Sequence, residues 1–172
     1  MQKYMAYRFL NYNNIIDDHD KKFEHLFNTS IKIDSKDYCI TIQEIDNVED
    51  YDNFDNDYLN QRISNSEGLL LIFSINDKNS FEFIKKMRYK ILKEKNKKKY
   101  PLILVGNKQD LMHERKVEYS EAKALADSWK IEYIETSAHI NYNIKEAFNI
   151  LVKEIIKFKS NQKKKDKKCV II

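Results

Sequence analysis

The stretch Leu102-Ile103-Leu104-Val105-Gly106-Asn107-Lys108-Gln109-Asp110 is a short apolar run that ends in an Asn-Lys-x-Asp tetrad. The run is β-rich and unbroken rather than alternating, so it reads as a parallel strand buried on both faces. The tetrad then falls at the carboxyl end of that strand, where open α/β sheets bind their ligands. A carboxylate at Asp110 can accept two parallel hydrogen bonds, from the N1–H and the exocyclic amine of guanine. Adenine offers no such pair of donors. The Asn107 amide can bridge the base edge and the neighbouring loops, and the Lys108 stem can lie flat over the ring. A strand followed by an ordinary polar turn gives the same four residues, so the tetrad alone does not decide the matter.

A second element follows at a suitable place. Ile131-Glu132-Tyr133-Ile134-Glu135-Thr136-Ser137-Ala138 is another short strand with a loop of small residues after it. Small side chains at Ser137 and Ala138 let backbone N–H groups approach the carbonyl oxygen of a base. Working outward, Leu69–Ile75 reads as a buried strand and Ser80–Lys93 as an amphipathic helix through Phe81, Ile84, Met87 and Ile91. Ser120 is the expected cap of a helix through Ala122, Leu125 and Ala126. Asn143 is the expected start of the last helix, with Ile144, Ala147, Phe148, Leu151, Ile155 and Phe158 on one face. Upstream, Lys3–Asn14 has helical spacing at Met5, Phe9 and Tyr12. Phe27–Ile33 and Tyr38–Ile45 read as an antiparallel hairpin joined by Asp34-Ser35-Lys36-Asp37. Asp46–Ser66 is polar, acidic and Asn-rich, with a short helix expected at its end. Strands alternating with helices imply an α/β fold, three layers with a mostly parallel sheet.

The segments Glu67-Gly68-Leu69-Leu70-Leu71-Ile72-Phe73-Ser74-Ile75, Ser80-Phe81, Val105-Gly106-Asn107-Lys108-Gln109-Asp110, Glu135-Thr136-Ser137-Ala138 and Cys169-Val170-Ile171-Ile172 occur in the order of a Ras/Rap-type small GTPase, which the chain resembles over its whole length. The resemblance implies the P-loop NTPase fold, binding of GTP and GDP with Mg2+, and signalling through protein effectors and exchange or activating factors. It assigns base binding to Asn107, Lys108, Asp110, Ser137 and Ala138. It places an effector region at Phe23, Glu24, His25, Leu26 and Phe27.

Several positions depart from the family pattern. A phosphate-binding loop needs Gly-x-x-x-x-Gly-Lys-Ser/Thr between a strand and a helix. The chain has two glycines, Gly68 and Gly106, and neither opens such a loop. On the ungapped register Met1 falls inside the loop and Gln2-Lys3-Tyr4 takes the place of Gly-Lys-Ser. Lys3 is then the candidate phosphate lysine, although an ordinary lysine near a terminus reads the same way. Lys22 stands at the magnesium-binding threonine of the first switch, and Ile15 at the aromatic beside the base. Asp46-Asn47-Val48-Glu49-Asp50 replaces Asp-x-x-Gly-Gln. Asp46 keeps the carboxylate that supports Mg2+ through water. Glu49 sets a like charge against the last phosphate. Asp50 replaces the glutamine that orients the attacking water. No catalytic residue is therefore assigned. His139 replaces the lysine that usually follows Ser-Ala.

On that register the chain starts after the family's first, central strand. Without it two inner strand edges would carry backbone groups at about 1–3 kcal/mol apiece if buried and unsatisfied. The expectation is therefore that the flanking strands close up, that the chain is unstable, or that it derives from a longer product, the last being preferred.

Length and composition bound the rest. The 172 residues suit one domain, 1–156, and a tail, 157–172. No signal peptide or long apolar run is present, so synthesis in the cytosol is expected. Cys39 and Cys169 are too few for a disulfide framework, and Cys39, in a strand-like run, reads as a small core residue. The net charge of +4 is uneven: Lys157 to Lys168 holds seven lysines and one aspartate, or +6, leaving the remainder near −2. Cys169-Val170-Ile171-Ile172 fits a C-a-a-X prenylation box, and its aliphatic last residue points to geranylgeranyl. One lipid chain binds reversibly, and the lysines supply the second signal for an anionic leaflet. A lysine run alone also suits a solvated or nucleic-acid-binding tail. The cysteine four from the end favours a lipidated Cys169 on the cytoplasmic face of a membrane, with no nucleic-acid partner.

Overall fold

The computed structural model describes Met5, Arg8, Phe9 and residues 26–43, 57–96 and 99–166. Leu26–Ile33 forms β1 and Lys36–Gln43 forms β2. Asp57–Asn65 is α1, the short helix expected at the end of the acidic segment, and Leu69–Ser74 is β3. Lys78–Glu94 is α2 and Leu102–Asn107 is β4. A 3-10 helix over Gln109–Glu114 leads to α3, Tyr119–Trp129. Glu132–Glu135 is β5 and Ile144–Asp166 is α4.

The three strands β3, β4 and β5 are parallel and adjacent in that order. Their apolar runs split by alternation onto two faces, as the pleat requires. Leu71, Phe73, Leu102 and Leu104 face α1, α2 and α3, against Leu59, Ile63, Phe81, Ile84 and Ala126. Ile103 and Val105 face the opposite side, with Leu70 and Ile72, against Met5, Ile144, Ala147, Phe148 and Leu151. Both faces are covered, which is why β4 reads as a continuous apolar run. Its six residues are all buried, each large side chain contributing about 1.5–3 kcal/mol. At Gly68 the sheet comes close to α4: a Cβ there would lie 2.8 Å from Ile155, whose side chain would have to shift.

Helix α2 starts two residues before the expected Ser80, because Asp77 accepts hydrogen bonds from the backbone N–H groups of Asn79 and Ser80 and so caps it. Ser80 instead takes the Ser74 N–H at 3.0 Å and joins the end of β3 to the helix. Behind it the Phe81 ring lies 4.8 Å from Phe73. Ser120 does not cap α3. Glu118 occupies that position without a side-chain cap, and Ser120 is the second helical residue.

The hairpin is tighter than expected. Ile33 pairs with Lys36, so the loop is Asp34-Ser35 alone, both at positive φ (47° and 66°). That is the two-residue geometry whose twist matches antiparallel strands. Cys39 is exposed, not a core residue. Its neighbours Tyr38 and Ile40 point the other way, into the cluster with Ile31 and Ile33.

A single continuous sheet is not observed among the described residues. The hairpin is one sheet and β3-β4-β5 another. The flanking strands have not closed up into one ladder; side-chain packing against α4 carries the hairpin instead. Of the expected Lys3–Asn14 helix, Met5, Arg8 and Phe9 are described and helical. Met5 is buried, and the Phe9 ring lies 4.2 Å from that of Phe148, tilted by 30°. The proposed boundary at 156/157 falls inside α4, which continues to Asp166.

At the amino end of β4, burial pushes the Tyr100 hydroxyl up to about 12, and it donates to the Ser66 carbonyl. An unfolded tyrosine ionises near 10. Between pH 10 and 12 the unfolded chain therefore loses a proton that the folded chain keeps, and stability falls as pH rises. Denaturant titrations at pH 9 and pH 11 check this: the drop between them should shrink in Tyr100→Phe.

Candidate functional site

Strand β4 delivers Asn107, 3% exposed, to its carboxyl end. The chain then turns sharply at Lys108, which is left-handed at φ 68°, ψ 37°. That conformation is uncommon outside glycine, and here it redirects the backbone into the 3-10 turn carrying Asp110. The loop after β5 is sewn to this turn. The Thr136 N–H donates to the Gly106 carbonyl at 2.9 Å, and the Gln109 N–H donates to the Thr136 carbonyl at 3.0 Å. The Asn107 Oδ1 accepts from the Thr136 hydroxyl and from the Ala138 N–H, both at 3.2 Å. The Ser137 hydroxyl donates to Asp110. The Ser137 backbone exchanges hydrogen bonds with Tyr142 at 2.9 and 3.0 Å, which closes the loop between them.

Thus Asn107, Lys108, Asp110, Ser137 and Ala138 lie at one end of adjacent strands. Ser137 is fully buried and Ala138 nearly so. Of the effector region, Leu26 and Phe27 open β1, Phe27 pairing with Ile42. Phe23, Glu24 and His25 lie outside the described residues, as do Lys3, Ile15, Lys22, Asp46, Glu49, Asp50 and Cys169. Among the described residues no three acidic, His or Cys side chains converge to hold a metal ion. No described helix is long and apolar enough to cross a membrane. A groove of about 250 Å³ lined by Lys99, Tyr100, Lys130 and Phe158 opens where β4 and β5 begin, at the far end of the strands from the tetrad.

Three supporting residues had no role assigned from sequence. Thr136 links the two loops. Glu135, at the end of β5, receives both Nη atoms of Arg115 at 2.7 and 2.8 Å and the Tyr133 hydroxyl at 2.8 Å. Burial, then the hydrogen bond to Glu135, push the Tyr133 hydroxyl well above the usual tyrosine range. The hydrogen bond with Glu135 also raises Arg115. A carboxylate at the end of a short strand was the one available signal. Arg8, treated below, gave none.

A parallel sheet with helices on both faces and Asn-Lys-x-Asp at a strand's carboxyl end defines the class of α/β folds whose ligands bind at that end of the sheet. Residues 5–157 match the Ras family. The chain is 36% identical over 144 residues to Protein ras-1 of Neurospora crassa, covering 84% of this chain and 66% of that protein. It is 32% identical over 170 residues to Ras-like protein rasC of Dictyostelium discoideum, covering 95% and 88%. It is 33% identical over 153 residues to Ras-related protein Ral-a of Drosophila melanogaster, covering 89% and 74%. The chain belongs to the Ras family of small GTPases.

Proposed function

We propose that the chain is a guanine-nucleotide-binding protein that takes GDP and GTP through an intact base site and hydrolyses GTP slowly. The observation that carries this is the convergence of Asn107, Asp110, Ser137 and Ala138 on one rigid loop pair. In this reading Asp110 takes the N1–H and exocyclic amine, Ser137 steadies Asp110, the Ala138 region meets the base carbonyl, and Lys108 covers the ring. Slow hydrolysis rests on Glu49 and Asp50 in the second switch and on Lys22 in the first. Asp46 would serve Mg2+ through water and Lys3 the phosphates; both assignments rest on family register alone. Cys169 would carry a prenyl group and, with the basic tail, hold the protein at a membrane where effectors and regulators meet it.

The same three substitutions favour a second reading, a lipid-anchored interaction module with no nucleotide cycle. Titration of the whole chain with fluorescent GDP and GTP, with and without Mg2+ and against guanosine, separates the two. Binding that guanosine displaces is the expected result. A folded chain that binds none of them sinks the first reading and leaves the second. Asp110→Asn should weaken guanosine at least about a hundredfold, since two hydrogen bonds to a charged acceptor are at stake, at roughly 1.5–3 kcal/mol each. An unchanged dissociation constant would remove Asp110 from the base site.

A further inference from the structure

We propose that Arg8 is a positioning residue for guanine recognition, holding the Asp110 carboxylate through the His139–Ile140 peptide and the Ser137 hydroxyl. This rests on the base-site reading above. Arg8 Nε donates to the Ala138 carbonyl at 2.9 Å, and its Nη2 donates to the His139 carbonyl at 3.2 Å. One planar guanidinium therefore grips two successive carbonyls, which the point charge of a lysine cannot reproduce. On the other side of the His139–Ile140 peptide, the Ile140 N–H donates to Ser137 Oγ at 3.2 Å. A hydroxyl has a single proton to give, and Ser137 gives it to Asp110 Oδ1.

The bonds run in one direction, from the guanidinium through the peptide and the hydroxyl to the carboxylate. A cation stands at the donor end and an anion at the acceptor end, so each bond polarises the next in the same sense. Ser137 is fully buried, which shields the middle of the path from water. Arg8 is itself held in place. Three residues before it, buried Met5 packs its sulfur 3.8 Å from the Thr136 hydroxyl oxygen. One residue after it, Phe9 packs its ring against Phe148. The beginning of the chain thus reaches a loop 130 residues away and orders the group expected to select the base.

A residue that only fastened the amino-terminal segment would change stability without changing base preference. Two measurements on the whole chain separate the roles. The first is amide exchange in the absence of ligand. Arg8→Gln should raise exchange at Ile140 about tenfold while Val105 and Ala147 stay protected, as expected of local opening. Arg8→Lys, which keeps the charge but not the fork, should fall between. The second is the ratio of guanosine to inosine affinity, inosine lacking the exocyclic amine. That ratio should shrink about tenfold in Arg8→Gln, the scale of one charge-assisted hydrogen bond, and recover in part in Arg8→Lys. Unchanged exchange at Ile140, or equal weakening of the two nucleosides, overturns the proposal. If the wild-type chain binds neither nucleoside, it is the proposed function that falls, and exchange at Ile140 still decides whether Arg8 holds the loop.

Discussion

Glu135→Ala is expected to lower the unfolding free energy by about 3–4 kcal/mol, because it strips a nearly buried cation of its partner. The side chains of Arg115 and Glu135 are only 16% and 12% exposed. The carboxylate takes both Nη atoms of Arg115 and also the Tyr133 hydroxyl. Without it the guanidinium keeps the Val117 carbonyl at 3.0 Å, and the Tyr133 hydroxyl loses its acceptor. Loss of that magnitude would remove a large part of a typical domain's stability of about 5–15 kcal/mol. Urea denaturation followed by far-UV circular dichroism measures it. Replacing both partners, as in Arg115→Met with Glu135→Leu, should restore most of the loss, since no buried charge is then left alone. A loss under about 1 kcal/mol in Glu135→Ala would mean that the pair behaves as an exposed ion pair.

Gly106→Ala should cost about 2–3 kcal/mol through overpacking, and Gly106→Val more. A Cβ at position 106 would lie 2.6 Å from the Tyr133 hydroxyl oxygen, 3.1 Å from Ile75 Cγ2 and 3.2 Å from Phe73 Cζ. The hydroxyl cannot simply swing aside. It is bonded to Glu135, and the Tyr133 ring stacks on Phe73 at 6.2 Å and meets Tyr119 at 5.2 Å. The requirement is one of volume, since Gly106 does not sit at positive φ. The same substitution in a Tyr133→Phe background removes the nearest atom and should cost less. A thermodynamic cycle over the two positions gives the coupling. Additive effects would show that the backbone of β4 moves instead. Such movement would carry Asn107 with it and weaken guanosine binding in the single variant.

The elements written into local periodicity were legible. The unbroken apolar runs of β3 and β4 and the 3.6-residue spacing of α2 and α4 are each set by neighbours a few residues away. So is the place of the tetrad at the end of β4, and with it the grouping of Asn107, Lys108 and Asp110. Ends of elements were less legible. Asp77 caps α2 in place of Ser80 because its side chain reaches two N–H groups at once. Asp34 and Ser35 adopt positive φ without a glycine to announce it. Cys39 looked like core because its strand is apolar, yet the pleat turns it outward between Tyr38 and Ile40.

Sequence by itself therefore determined the parallel α/β arrangement, the two-faced burial of its central strands and the chemistry offered at their carboxyl ends. Tertiary structure alone decided which distant groups make that chemistry rigid. The Arg115 fork on Glu135, the Thr136 bridge to Asn107 and the Arg8 grip on Ala138 and His139 join residues 20 to 131 positions apart. It also decided that, among the described residues, the hairpin stands as its own sheet, held by side chains against α4. Periodicity reports which face of an element seeks burial. It carries no information on which polar partner, brought near only by chain closure, will satisfy a donor there.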